Sequence, residues 1–166
     1  MKHKTYLIVD NIRSTHNVGS LLRTAEGLGV KEVFLCGITP YPTTDNDSRL
    51  PHLSHKLTSK ISKTALGAEK YQTWTHCDKT SDAIDLLRKQ AVEIIALEQT
   101  EHSRPLLAVA SQKDIALVVG NEVTGISEIV LGLCDQITDI EMKGKKESLN
   151  VSVAAAIALF YLTNML

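Results

Sequence analysis

Short apolar runs alternate with amphipathic segments along the whole chain. The run IALVVG (115–120) is fully apolar and is typical of the middle of a parallel sheet. Further strands are predicted at 6–10, 32–37, 71–77, 92–100 and 136–142. Helices are predicted at about 17–28, 81–90, 127–133 and 150–164. This alternation implies an α/β fold, a mostly parallel sheet with helices on both faces.

The first predicted helix has one continuous apolar face. Its apolar residues recur at helical spacing, at Val18, Leu21, Leu22, Ala25 and Leu28. We expect Asn17 to cap this helix, because its side-chain oxygen can accept a free backbone N–H of the first turn. Arg23 falls on the opposite, polar face beside Ser20. An arginine near a helix N-terminus can bind phosphate, but this segment alone favours an ordinary solvated arginine.

The segment 38–70 is rich in Pro, Ser, Thr and Asp. We expect an irregular loop in its first half and a short helix within 53–70. Loops of this length in a compact domain are usually functional or disordered. The segment 103–111 is predicted to be a connector, part of it helical.

The last predicted helix is apolar on almost every face. Such a helix is buried all round, and in a chain of 166 residues this predicts burial partly against another subunit. Asn150 is the expected cap of this helix.

Two polar turns follow apolar strands in the last third of the chain. One contains Gly120 and Glu122, and the other contains Ser148 and Asn150. Such turns are where α/β proteins bind ligands. Glu122 has two interpretations. It receives backbone amides from a neighbouring loop and holds a pocket shut, or it is an exposed turn residue.

Composition excludes several classes of protein. The residues are 43% hydrophobic with a formal net charge of −1, which argues for one ordinary domain and against a uniformly basic nucleic-acid binder. The three scattered cysteines favour a reducing cytoplasm. The sequence has no dinucleotide or P-loop glycine motif, no metal-ligand spacing, no signal peptide and no run of membrane-spanning length.

Three segments in a fixed order carry a resemblance to a known family. They are NxxxxxR from Asn17, GNExxGIS from Gly120 and MxGxxxSLNVSVAAAI from Met142. Together they resemble the three motifs of the SpoU (TrmH-type) branch of the SPOUT RNA methyltransferases. The resemblance covers the whole chain and is least distinctive in the middle third.

The resemblance implies a fold and an activity. The fold would be an α/β sheet with a C-terminal deep trefoil knot, an exception to the rule that chains do not knot. S-adenosylmethionine would bind in the knot, without a metal, and active sites would form near the interface of a homodimer. The reaction would methylate a ribose 2′-hydroxyl of RNA, in tRNA more readily than in rRNA. We expect one such domain over residues 1–166, with no appended N-terminal RNA-binding domain.

The resemblance also assigns residues. Asn17 and Arg23 match the catalytic first motif, with Arg23 a phosphate clamp that stabilises developing alkoxide or, in the family view, the base. The implied cofactor-binding residues come from three loops and are Leu97, Glu98, Gly120, Asn121, Glu122, Gly125, Ile140, Met142, Ser148, Leu149 and Asn150. Glu141 departs from the family, which often has proline there.

RNA binding would depend on surface cations. The candidates are Arg13, Arg23, Arg49, Lys56, Lys60, Lys63, Lys145 and Lys146. Their contacts to phosphate would be salt-sensitive and carry little sequence information. Without the resemblance, the lysines are explained as solvating polar loops. The alternative function is that of an inactive knotted protein that binds RNA as an assembly factor.

Overall fold

The apolar runs form the strands of a single sheet. The computed structural model describes residues 3–164. Its seven strands all pair in parallel, in the order β3-β2-β1-β6-β4-β7-β5. The strands are β1 (Thr5–Asp10), β2 (Glu32–Cys36), β3 (Trp74–Cys77), β4 (Glu93–Leu97), β5 (Arg104–Pro105), β6 (Ile115–Val119) and β7 (Gln136–Asp139).

Helices cover both faces of the sheet. They are α1 (Thr15–Gly27), α2 (Pro51–Ala65), α3 (Thr80–Arg88), α4 (Glu128–Leu131) and α5 (Val151–Asn164), with short 3₁₀ turns at Ala68–Lys70 and Leu106–Ala108. Alternate residues of each central strand point to opposite faces, so Leu7 and Val9 pack under α1, α2 and α5 while Tyr6 and Ile8 pack under α3 and α4. The predicted α/β fold with helices on both faces is confirmed.

The start of α1 corrects the predicted cap. The helix begins at Thr15, and Ser14 caps it by accepting a hydrogen bond from the backbone N–H of Asn17 at 3.2 Å. Asn17 therefore lies in the first turn of α1. Its own side chain is left available for contacts outside the helix.

Helix α2 is longer than the short helix predicted within 53–70. It runs for 15 residues from Pro51, and its buried positions are Ser54, Ile61 and Ala65. Most residues of α2 are Ser, Thr, Lys or His, a composition that also suits a polar loop. The connector also differs from its prediction, since it contributes the two-residue strand β5 as well as a 3₁₀ turn.

Two strand ends differ from the prediction. β7 ends at Asp139 rather than at 142, and β3 begins only at Trp74.

The last helix begins as expected. Asn150 caps α5, since its side-chain oxygen accepts the backbone N–H of Ser152 at 2.9 Å. Within the single chain, the apolar residues Val153, Ile157 and Phe160 of α5 are between 43% and 56% exposed. Burial of this helix partly against another subunit therefore stays a prediction.

Gly19 lets α1 and α2 approach closely. A Cβ atom at this position would lie 2.2 Å from the hydroxyl of Thr64 and 2.3 Å from the backbone oxygen of Ile61. Because one of these atoms belongs to the backbone of α2, a side-chain rotation cannot relieve the contact.

Within residues 3–164, no helix is long and apolar enough to cross a membrane.

We expect Gly19→Ala to lower the free energy of unfolding by about 1–3 kcal/mol, as overpacking does in cores. Chemical denaturation measures this change. Gly27→Ala is the matched control in the same helix, since no atom lies within 4 Å of its added Cβ. That control gains up to about 1 kcal/mol from helix propensity. Equal stability of the two variants would contradict the close approach.

Candidate active site

A cleft opens where the neighbouring strands β6, β4 and β7 end. Its volume is about 470 Å³, within the usual range for small-molecule sites. All residues predicted to bind a cofactor line it, although they come from segments far apart in sequence. Sequence reasoning missed the lining residues Gln99, Val119, Val123, Asp139, Val151 and Ala154. These are chain neighbours of predicted residues or lie one helical turn from them.

The loop after β6 forms one wall of the cleft. The backbones of Asn121 and Gly125 exchange two hydrogen bonds of 2.9 and 3.2 Å, which closes a tight turn. The side-chain oxygen of Asn121 accepts the N–H groups of Val123 and Thr124 within the turn. Gly125 has a φ of +67°, a left-handed conformation that favours glycine. This sequence therefore presents backbone rather than side chains to the cleft.

Glu98 joins this turn to the loop after β4. One carboxylate oxygen accepts the N–H of Ile126 at 2.9 Å, and the other accepts the N–H of Gln99 at 2.9 Å. A Cβ atom on Gly125 would lie 2.4 Å from the first oxygen. Glu98 thus holds two walls of the cleft together and requires glycine opposite it.

Glu122 connects the same turn to the start of α1. Its carboxylate accepts the backbone N–H groups of Arg13 and Ser14, each at 3.1 Å, and the side-chain amide of Asn17 at 2.9 Å. Glu122 lies in an exposed turn, as one interpretation expects, but it also receives backbone amides from a neighbouring loop, as the other expects. The Glu122 carboxylate therefore ties the second motif to the first.

The pKa of Glu122 is lowered. Partial burial acts in the opposite direction, because it disfavours the charged carboxylate. The hydrogen bonds from the Arg13 backbone, the Asn17 side chain and the Ser14 backbone stabilise that charge and outweigh the burial. The side chain is therefore ionised at neutral pH and accepts all of these hydrogen bonds.

Asn17 also links the first motif to the third. Its side-chain oxygen accepts a hydrogen bond from the side-chain amide of Asn150 at 3.2 Å. The oxygen of Asn150 in turn accepts the N–H of Ser152 at 2.9 Å and its hydroxyl at 2.6 Å. Glu122, Asn17 and Asn150 thus form one chain of hydrogen bonds that joins the start of α1, the loop after β6 and the start of α5.

Arg23 lies on the exposed face of α1. Within residues 3–164, its side chain forms no ion pair and no hydrogen bond. Its guanidinium group is consequently available to a ligand, and the helix that carries it is attached to the rim of the cleft by Glu122.

The other predicted RNA-contacting cations fall into two groups. Most are exposed: Arg13, Lys56, Lys60, Lys63, Lys145 and Lys146. Arg49 is different, because its guanidinium pairs with Asp47, donates to the backbone oxygens of Tyr41 and Pro42, and lies 3.6 Å above the ring of Tyr41. The structure gives Arg49 a role in holding its own loop. Its predicted availability to RNA phosphate is not supported.

No cluster of three or more His, Cys, Asp or Glu side chains suited to a metal occurs within residues 3–164. The cleft instead offers apolar side chains, backbone groups, amides and carboxylates. Such a site is suited to an organic ligand that is apolar at one end and polar at the other.

Residues 4–160 match the model of the SpoU rRNA Methylase family. The chain belongs to the SpoU rRNA methylase family. It is 30% identical to the 23S rRNA (guanosine-2′-O-)-methyltransferase RlmB of Coxiella burnetii over 159 residues, which cover 93% of this chain and 56% of that relative. It is 32% identical to RlmB of Xylella fastidiosa over 154 residues, 93% of this chain and 56% of the relative. The chain thus spans little more than half the length of the curated relatives it matches.

Solved structures share the fold. The crystal structure of an AdoMet-bound rRNA methyltransferase from Sinorhizobium meliloti superimposes with a TM-score of 0.82 at 23% identity, over 100% of this chain and 58% of that one. A chain solved in work on the 2-OH methylation of C/U34 on tRNA gives a TM-score of 0.74 at 20% identity, over 98% of this chain and 95% of that one. Membership of the SpoU family implies the C-terminal trefoil knot.

We expect Glu122→Gln to lower the free energy of unfolding at neutral pH by about 1 kcal/mol, since the amide retains only one acceptor oxygen. The Glu122 pKa is lowered in the folded state, so its stabilisation is complete above the ordinary carboxyl pKa. That stabilisation is lost as the pH falls through the lowered value. Thermal unfolding from neutral to acid pH should therefore show the gap between wild type and variant closing in acid. The control is Glu141→Gln, at an exposed residue, which should leave no such gap. A gap that persists unchanged in acid would contradict the assignment.

Proposed function

We propose that the protein transfers the methyl group of S-adenosylmethionine to a ribose 2′-hydroxyl of RNA, with tRNA as its substrate. The observation that carries this proposal is the hydrogen-bonded chain of Glu122, Asn17 and Asn150. It joins the cleft to the helix that bears Arg23, so a cofactor in the cleft and an RNA phosphate on Arg23 would belong to one site.

The residues of the cleft fit S-adenosylmethionine. Leu97, Ile140 and Leu149 offer apolar contact to an adenine ring. The glycine-bearing turn at 120–125 allows backbone groups to approach the ligand, because any side chain at Gly120 or Gly125 would collide with neighbouring atoms. Exposed polar groups, such as Ser148, are suited to the ribose or the amino-acid portion.

When bound, S-adenosylmethionine supplies an electrophilic methyl group on its sulfonium. A bond forms between the ribose 2′-oxygen and the methyl carbon as the carbon–sulfur bond breaks, and the 2′-hydroxyl gives up its proton. The protein's part is alignment, since holding reactants in line supplies much of the acceleration of such a reaction. The attachment of α1 to the rim of the cleft by Glu122 supports this alignment.

Arg23 would bind the RNA phosphate and stabilise the developing alkoxide. A guanidinium is effectively never deprotonated in proteins, so we favour a clamp over a base. Its exposed position and freedom from internal ion pairs within the described residues support this role.

Further contacts to the RNA phosphates would come from exposed cations. On α2 the residues Lys56, Lys60 and Lys63 recur at i, i+4 and i+7, so they form one stripe on a helix that packs against α1. Arg13, Lys145 and Lys146 would add contacts nearer the cleft. We leave Arg49 out of this set because its guanidinium is already occupied.

The tRNA substrate is favoured by one comparison. RlmB relatives act on 23S rRNA, as their name states. The fold also matches a chain solved in work on the 2-OH methylation of C/U34 on tRNA, which supports tRNA as the substrate proposed here. We also propose the cytoplasm as the compartment, because all three cysteines are free thiols.

We also propose that the protein forms a homodimer through α5. Val153, Ile157 and Phe160 form an exposed apolar stripe on α5, the helix whose first turns line the cleft. A second copy packed on this stripe would bury it and would bring a second cleft close to the first. Exposed apolar stripes of this kind often mark protein interfaces.

The activity is tested by incubating the protein with S-adenosylmethionine and purified tRNA or rRNA, followed by nucleoside mass spectrometry. We expect a 2′-O-methyl nucleoside to appear in tRNA. Arg23→Ala should lower its formation by at least about 100-fold, as the loss of a group that stabilises developing charge does, with calorimetric cofactor binding unchanged. Lys89→Ala, which removes an exposed cation beyond α3, is the control. Full turnover by Arg23→Ala would remove Arg23 from the mechanism, and failure to bind S-adenosylmethionine would overturn the proposal.

The dimer is tested by analytical ultracentrifugation. We expect the wild type to sediment as a dimer and Ile157→Asp to sediment as a monomer, because a buried charge on the stripe would be unpaired. The matched control is Ile129→Asp, at an 82% exposed isoleucine of α4 on the other face of the sheet. A monomeric wild type, or a variant that stays dimeric, would contradict the proposed interface.

A further inference from the structure

A second cleft opens beside β3, the outermost strand at one side of the sheet. It lies between the loop that follows β2 and the residues Trp74–His76 of β3, and its volume is about 580 Å³. We call it the aromatic cleft. None of the residues matched by the family's three motifs lines it.

Stacked rings form the base of the aromatic cleft. Tyr41 stacks on His76 with ring centroids 4.0 Å apart and an interplanar angle of 28°. The guanidinium of Arg49 covers the other face of Tyr41 at 3.6 Å, and Trp74 lies 6.3 Å from Tyr41 at a tilted angle of 46°. Both faces of Tyr41 are thus covered, and the rings left to stack with a nucleobase are those of Trp74 and His76, which line the cleft. Stacking of this kind tolerates any base.

The walls of the aromatic cleft are fixed by their own hydrogen bonds. Arg49 donates to the backbone oxygens of Tyr41 and Pro42, both at 3.0 Å. The indole N–H of Trp74 donates to the backbone oxygen of Glu69 at 3.1 Å. Because the rings are held in position by these bonds, a ligand would lose little entropy in ordering them.

Charge in the aromatic cleft favours a base over a phosphate. The two carboxylates that line it are Asp45 and Asp47, and Arg49 neutralises Asp47. Asp45 is exposed, and its side chain has no hydrogen-bond or ion-pair partner within residues 3–164. A free carboxylate repels phosphate but accepts hydrogen bonds from amino groups, as Asp and Glu do from the N4 amino group of cytosine.

The two clefts are close enough to contact one RNA strand. Three strand spacings of about 4.8 Å separate β3, which lines the aromatic cleft, from β6, the nearest strand of the cofactor cleft, so the two strands are about 14 Å apart. Helix α1, which carries the proposed phosphate clamp, follows β1, one of the two strands between them. A nucleotide near the methylated one can therefore reach the aromatic cleft.

We propose that the aromatic cleft binds an unpaired nucleobase that carries an exocyclic amino group, on the same RNA strand as the nucleotide whose ribose is methylated. The base stacks against Trp74 and His76, and Asp45 accepts a hydrogen bond from its amino group. The location on the methylated strand rests on the proposed RNA methyl transfer, whereas recognition of the base does not depend on it.

The chain has a single tryptophan, which lines this cleft, so its fluorescence reports on occupancy directly. The experiment titrates the full chain with short single-stranded oligocytidine and, separately, oligouridine, which lacks the amino group. We expect saturable quenching of Trp74, with oligocytidine bound roughly fivefold more tightly, at the lower end of what one base contact contributes. Asp45→Ala should bring the two affinities together.

Asp85→Ala removes an exposed carboxylate from α3 and is the matched control for the loss of charge. It should keep the preference for oligocytidine. The proposal is overturned if the oligonucleotides do not quench Trp74, if Asp45→Ala keeps the preference, or if a basic peptide quenches Trp74 and oligocytidine does not.

Methyl transfer and cofactor binding are measured separately, by nucleoside mass spectrometry and calorimetry, so the two proposals fail independently. Methyl transfer without quenching overturns the aromatic cleft alone. Quenching with the expected preference, in a protein that transfers no methyl group, overturns the methyltransferase and supports the base-binding cleft.

Discussion

The carboxylate of Glu122 accepts hydrogen bonds from three donors that precede it by 105 to 109 residues in the chain. These bonds attach the start of α1 to the loop after β6. Through Asn17 the network continues to the start of α5. Without this carboxylate, the start of α1 would lose three of the hydrogen bonds that hold it to the loop after β6. The position of Arg23 relative to the cleft therefore depends strongly on one charge, and the hydrogen bonds that this carboxylate accepts lower its pKa.

The parallel sheet makes this network possible. Because all strands run in the same direction, their carboxyl ends meet at one edge, and the loops that follow β1, β6 and β7 come together there. A second cleft, lined by aromatic rings, lies beside β3 at one side of the sheet. Loops that are distant in sequence can thus form the cofactor-binding part and the substrate-binding part of the proposed site.

Prediction from sequence succeeded where the pattern was strong. The apolar runs identified the central strands, and the motifs around Glu122 and Asn150 identified residues that line one cleft. Prediction failed where the pattern was weak. Helix α2 was underestimated because most of its residues are Ser, Thr, Lys or His, a composition that also suits a polar loop. The cap of α1 was misassigned because Ser14 and Asn17 are both good capping residues, and sequence alone cannot rank them.

The sequence by itself determined the fold class, the family and the identity of the residues around the cleft, because periodicity and motif order are properties of the chain. Only the tertiary structure decided what those residues contact. In the structure, the side chain of Asn17 does not cap α1 but donates a hydrogen bond to Glu122. The guanidinium of Arg49 binds within its own loop, and Arg23 is exposed. The physical reason is that hydrogen bonds and ion pairs form between atoms a few ångströms apart. That proximity is fixed by the packing of segments distant in sequence.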